Sequence, residues 1–163
     1  MSEHAQMPQR PRIAPFISFL LSQVGAFAAA RFAERLEDLA LQPSDVGILR
    51  LIAAEPGLSQ QALADRLNVA PSRVVVLIDG LENKGLVARE RSTRDRRIYE
   101  LQLTGDGRAV MGRMREVGAA HEADMAKALT DDERETLAIL LNKIAASHGL
   151  TPNVHPGYRA ARE

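Results

Sequence analysis

The chain has no cysteine. That absence removes disulfides, thiolate nucleophiles, thiolate metal sites and thiol-based peroxide sensing together, and it fits a reducing cytoplasm. Tryptophan is absent as well, and the other aromatics amount to four phenylalanines and two tyrosines among 163 residues. No sign of charge prevails, because 21 Lys and Arg face 21 Asp and Glu. Long uncharged apolar runs are almost missing too. The exception is IAPFISFLLSQVGAFAAA at residues 13–30, which follows Arg10 and Arg12 in the manner of a secretory leader or short membrane span. Ser18, Ser22, Gln23 and Gly25 interrupt it, and its helical pattern continues into RFAERLEDLAL through residue 41. A buried or subunit-contacting helix is therefore the better reading, and no membrane partner is expected.

What the chain does have is apolar residue, 45% of the total and rich in Ala and Leu, at a length sufficient for one domain with a real core. The balanced charge also hides a split. Residues 1–57 carry five Lys/Arg against six Asp/Glu, residues 58–115 eleven against seven, and residues 116–163 five against eight. A basic middle between acidic flanks suits a local contact with a polyanion, the bland alternative being a solvated charged loop.

The segmentation follows from caps and periods. Residues 1–12 hold Pro8 and Pro11 and read as a flexible arm. A first helix from about Pro15 to about Leu41, within a segment at 13–42, is longer than its own core needs, and its apolar residues Phe16, Phe19, Leu20, Val24 and Phe27 wrap widely. Pro43 opens a second helix with a Val46, Leu49, Ile52 or Ala53 stripe, stopped by Glu55, Pro56 and Gly57. Ser59 caps a short third helix, QQALADRL; Pro71 opens a fourth, SRVVVLIDGLENK, closed by Gly85. The period then changes to two. LVARERS and IYELQLT alternate around the polar tip STRDRR, which predicts a two-stranded hairpin. Thr104 caps a fifth helix through about Leu129, and Thr130 a sixth that ends at Gly149 and Pro152, so residues 105–148 form a helical pair and 149–163 an aperiodic tail.

The expected fold is mainly α with a small β-hairpin wing, a winged helix-turn-helix over residues 43–104 joined to long helices. In such a unit the fourth helix enters the major groove of DNA. Val74, Leu77, Ile78 and Leu81 share the core-facing arc of that helix. Ser72 and Arg73 near its N-terminus are candidates for base edges or phosphates, Val75 and Val76 for thymine methyls, and Ser59 and Gln60 at the start of the third helix join this set. A protein-partner contact is the alternative for the valines. The hairpin holds Arg89, Arg91, Arg94, Arg96 and Arg97 within nine positions, and a wing beside a major-groove helix lies near the minor groove. Arg94, Arg96 and Arg97 are the candidates there, Arg97 first. Asp95 is expected to support the wing by accepting hydrogen bonds from tip backbone or from a neighbouring arginine.

The run LSQQALADRLNVAPSRVVVLIDGLENKGLVARERSTRDRRIYELQLTGDG resembles the MarR family of bacterial winged-helix regulators, whose wing carries Asp-x-Arg followed by Leu-x-Leu-Thr. Asp95, Arg97, Leu101, Leu103 and Thr104 occupy those positions. The resemblance extends more weakly in helix order over about residues 15–148. It implies a homodimer joined through the first helix and the last two, wing arginines in the minor groove on either side of a pseudo-palindromic operator in double-stranded DNA, and a repressor released by a small-molecule effector. Family members bind small aromatic acids between the dimer helices and the winged region; Phe16 and Phe19, with Arg12 or Arg50 for a carboxylate, are the residues here that such a cleft would use. Plain dimer core and surface charge is the alternative for each. The chain departs from the family at Val75 and Val76, where Ser, Thr or Arg is commoner, and at Gly80. His4, His121, His148 and His155 are scattered, so no metal or other cofactor is expected. No G-x-S-x-G, P-loop or paired-acid motif appears, which argues against an enzyme. The remaining rival is a winged-helix protein-interaction module without specific DNA binding.

Overall fold

The computed structural model describes residues 16–152, 154, 155 and 158. Helix α1 (Ile17–Leu36) is followed by a single 3-10 turn (Glu37–Leu39), then α2 (Pro43–Ala54), α3 (Gln60–Leu67), α4 (Pro71–Asn83), the hairpin β1 (Val87–Arg91) and β2 (Tyr99–Leu103), α5 (Gly105–Met125) and α6 (Asp131–Ser147). Six helices and one hairpin match the fold class read from the sequence. Arg12, Pro15 and the arm lie outside the described residues.

The first helix is shorter than its periodicity suggests. It stops at Leu36 instead of about Leu41, and Ala40 takes a left-handed φ of 54°. Leu36 and Leu41 both face the core, and a continuous helix cannot deliver both along with α2; the turn does so, with the Leu41 N–H reaching back to the Leu36 carbonyl at 3.3 Å. The fifth helix also ends early, at Met125.

The core lies among α2, α3, α4 and β2. Ile48, Leu49, Leu63, Leu67, Val74, Ile78, Leu81 and Leu101 are fully buried, which is the arc assigned to α4 with Leu77 at its edge. The hairpin is antiparallel with Val87 opposite Leu103 and Arg91 opposite Tyr99. Its outer edge is also tied down: the Leu101 N–H donates to the Leu58 carbonyl at 2.9 Å, and Ser59 bridges to Glu100. The wing is thus stitched to the entrance of α3. At its other end, the Thr104 side chain accepts from Gly107 N–H and donates to the Gly85 carbonyl at 2.6 Å. Gly107 has to be glycine, because a β-carbon there would stand 2.1 Å from the Leu86 carbonyl oxygen.

Candidate nucleic-acid interface

Helices α3 and α4 meet at Asn68, whose left-handed φ of 53° makes the turn a small polar residue tolerates. Pro71 starts α4, and its cap residue Ala70 has no side-chain acceptor to offer the first turn. Ser72, Arg73, Val75 and Val76 are all exposed, Val76 at 63%, so the solvent face of α4 opens with a hydroxyl and a guanidinium and continues as an apolar strip. Ser59 is differently engaged. Its hydroxyl oxygen caps α3 by accepting from the Ala62 N–H at 3.1 Å.

The five arginines of the hairpin divide into two sets. Arg89 is only 19% exposed at its side chain and reaches back from β1 onto α4, pairing with Asp79 at 2.7 Å and with Glu82, while its Nε donates to the Gln60 amide oxygen at 2.5 Å. Gln60 therefore has its oxygen committed within the fold and its amide N–H groups left as donors. Arg91 donates to the Arg96 carbonyl at 3.0 Å and sits 5.3 Å from the centre of the Tyr99 ring. Arg94, Arg96 and Arg97 are exposed, and no ion pair holds their guanidinium groups among the described residues. They stand at the tip.

The tip turns without glycine or proline because two side chains shape it. Buried Ser92 accepts at its hydroxyl from the Arg94 N–H at 3.2 Å and, more weakly, from the Asp95 N–H at 3.4 Å. Asp95 then accepts the Arg97 N–H at 2.9 Å, and its own carbonyl accepts from Ile98 N–H at 2.9 Å. Its carboxylate is thus engaged with backbone, and it forms no ion pair with an arginine among the described residues. Sequence reading missed the Arg89 network and Ser92. The signal for the first was present, since Asp79 and Glu82 are three apart on one helix face and an arginine follows on the adjoining strand.

Two cavities of about 380 and 350 Å³ lie between α2 and α5 and share Met111 and Arg115. Arg108 lines the first; Arg50 lines the second with Phe32. Phe16 and Phe19 line neither, and Phe19, at 62% exposure, sits near the far end of α1. His121 packs on Phe32 at 5.2 Å, whereas Asp124, three residues on, is taken by Arg35 at 2.9 Å and Lys127 at 3.3 Å. Lys127 and Arg35 hold the Asp124 carboxyl below its ordinary pKa. Among the described residues no three His, Asp or Glu gather as a metal site would need, and no helix is long and apolar enough to cross a membrane.

Comparison with known proteins agrees with this geometry. Residues 41–98, which run from the start of α2 to the wing tip, match the model of the MarR family. A Thauera aromatica protein named for transcriptional regulation of an hcr operon is 38% identical over 110 residues, 68% of this chain and just under two thirds, 66%, of that relative. The Bacillus subtilis HTH-type transcriptional repressor MdtR is 33% identical over 115 residues, covering 69% of this chain and 72% of its own. Among solved structures, the transcriptional repressor CouR bound to a 23-mer DNA duplex superimposes with a TM-score of 0.73 at 31% identity, over 80% of this chain and 92% of that one. Fold, wing and sequence agree: the chain belongs to the MarR family of winged-helix transcriptional regulators.

Proposed function

We propose that the protein is a cytoplasmic, homodimeric repressor that binds a pseudo-palindromic operator and is released by a small anionic effector of the aromatic-acid kind. The observation that carries the DNA part is the wing tip. Three guanidinium groups with no ion-pair partner among the described residues stand on a turn pinned by Ser92 and Asp95, beside a helix whose first turn exposes Ser72 and Arg73. Pinned cations next to a major-groove helix suit the adjacent minor groove, where narrow walls concentrate negative potential. Dimerisation is supported by the apolar faces that α1 and α6 leave in solvent, and by the spacing rule that paired recognition helices meet half-sites about one helical turn apart. The effector reading rests on the cavities between α2 and α5, where the charged lining residues among those described are Arg50, Arg108 and Arg115. A cleft of one sign concentrates counter-charged ligand, and a ligand preferring one lobe arrangement shifts DNA affinity by that preference alone. Catalysis is no part of this reading.

The test is selection of duplexes from a random library, followed by anisotropy titration of the enriched sequence at several salt concentrations. The expected result is an inverted repeat whose binding constant falls steeply with salt, because phosphate neutralisation releases counterions. Absence of any enriched sequence, or affinity insensitive to salt, favours the protein-interaction module and overturns the operator reading.

A further inference from the structure

Beyond α6 the chain loses its periodic pattern, yet it is anchored. Gly149, at φ 63°, reverses the backbone and the Leu150 N–H closes on the Ala145 carbonyl at 3.0 Å. Val154 then packs at the edge of the core, and Tyr158 enters it at 5% exposure. The Tyr158 hydroxyl donates to the Ser44 carbonyl, 114 residues earlier in the chain. Its phenol end rests on Gly47. A β-carbon at that position would stand 2.2 Å from the phenol oxygen, and the three nearest atoms it would meet all belong to Tyr158. Burial pushes the hydroxyl pKa up to about 12, so the group stays a protonated donor at ordinary pH.

The slot occupies a particular place. Ser44 and Gly47 belong to the first turns of α2, and Asp45 between them accepts the Gln42 N–H at 2.9 Å and holds Lys84 at 2.6 Å. Lys84 is the C-terminal cap residue of α4. Tail, first turn of α2 and the end of α4 are therefore in consecutive contact. By contrast α6, from which the tail departs, buries none of its own residues.

We propose that Tyr158, latched into the Gly47 slot, acts as a strap point that fixes the winged-helix lobe relative to α5 and α6 and so sets the angle at which α4 meets DNA. Two lobes must engage one operator together, and each freedom of rotation left in a lobe has to be lost on binding. A tether additional to the chain connections through α1 and α5 removes part of that freedom beforehand. The strap rests on the operator-binding reading for its consequence and on Tyr158, Ser44 and Gly47 for its existence.

The experiment compares full-length wild type with Tyr158→Ala, Gly47→Ala, the double variant and Tyr158→Phe. It measures amide hydrogen exchange over residues 43–49 and affinity for the selected operator. Both Tyr158→Ala and Gly47→Ala are expected to speed exchange at the start of α2 and to weaken operator binding about tenfold with the dimer intact. The double variant should be no worse than either single, since each undoes the same latch. Tyr158→Phe should lie between them and wild type. Faster exchange with unchanged operator affinity overturns the coupling, and additive losses in the double variant overturn the latch. A wild type that binds no operator fails the reading of function instead, and the exchange data still decide whether Tyr158 fastens the tail.

Discussion

Two regions of this chain treat apolar side chains in opposite ways. Between Leu41 and Leu103 most turn inward, Val75 and Val76 of α4 and Ile98 and Tyr99 of the wing excepted, and Leu49, Leu63, Ile78 and Leu101 lose all contact with solvent. In α6 none is buried, and in α1 only Leu36 is, although α1 is well stocked with Phe and Leu and α6 with Leu and Ile. The first region supplies its own core. The second presents a surface, because an isolated helix draws its stability from packing an apolar face and faces of this size are ordinarily covered. The same division recurs in miniature within the hairpin, where Arg89 and Arg91 are consumed by the fold and Arg94, Arg96 and Arg97 are not.

The contrast is broken most severely at α6. Leu137, Leu140, Leu141 and Ile144 form one stripe, and Leu140 is 52% exposed. Leu140→Asp is expected to convert a dimer to a monomer by sedimentation and to weaken operator binding by more than about a hundredfold, since two linked half-site contacts become one. Melting of the winged lobe should change by less than about 0.5 kcal/mol, as for other exposed positions. A wild-type monomer would end the argument.

How much of this was legible depended on how far apart the interacting groups lie in sequence. The arc Val74, Ile78 and Leu81 and the caps Ser59, Thr104 and Thr130 were readable because each is a local pattern, and the hydrogen bonds at those caps run to residues three positions on. The break after Leu36 was not, because Glu37 and Asp38 do not interrupt a helical period and the cause lies in where Leu41 must go. The tail was illegible for a stronger reason. Its partners are a backbone carbonyl and a missing β-carbon, and neither leaves a periodic trace. At the wing the arginine cluster was plain, but its division was hidden until β1 was laid beside α4.

That division can be sharpened by substituting one arginine from each set. Arg89→Ala leaves Asp79 and Glu82 without their cation and removes the side-chain tie between β1 and α4; about 2 kcal/mol of stability should be lost, less than for a fully buried pair because both carboxylates keep some water. Thermal or urea unfolding measures it. Arg97→Ala should leave the unfolding curve in place and weaken operator binding about tenfold, with the salt slope reduced by about two because the proposed dimer would lose two contacts. Arg94→Ala is expected to behave in the same way with a smaller loss. If Arg89→Ala left stability untouched, or if neither tip variant altered operator affinity, the two sets would not be distinct.

The smallest effect tests why an acid stands among these cations. Asp95→Ala makes the tip more positive, and on charge alone should tighten binding. It also removes the acceptor of the Arg97 N–H, worth about 1 kcal/mol, and with it the turn that presents the guanidinium. Pre-organisation should win over an exposed charge that salt already screens, so operator binding is expected to weaken about threefold. Asp95→Asn separates the two effects, because it keeps an acceptor oxygen at the same place and loses only the charge. It should bind as well as wild type or better. Should Asp95→Ala bind more tightly and match Asp95→Asn, the carboxylate acts only by repulsion, and the arginines of the tip need no support to find their groove.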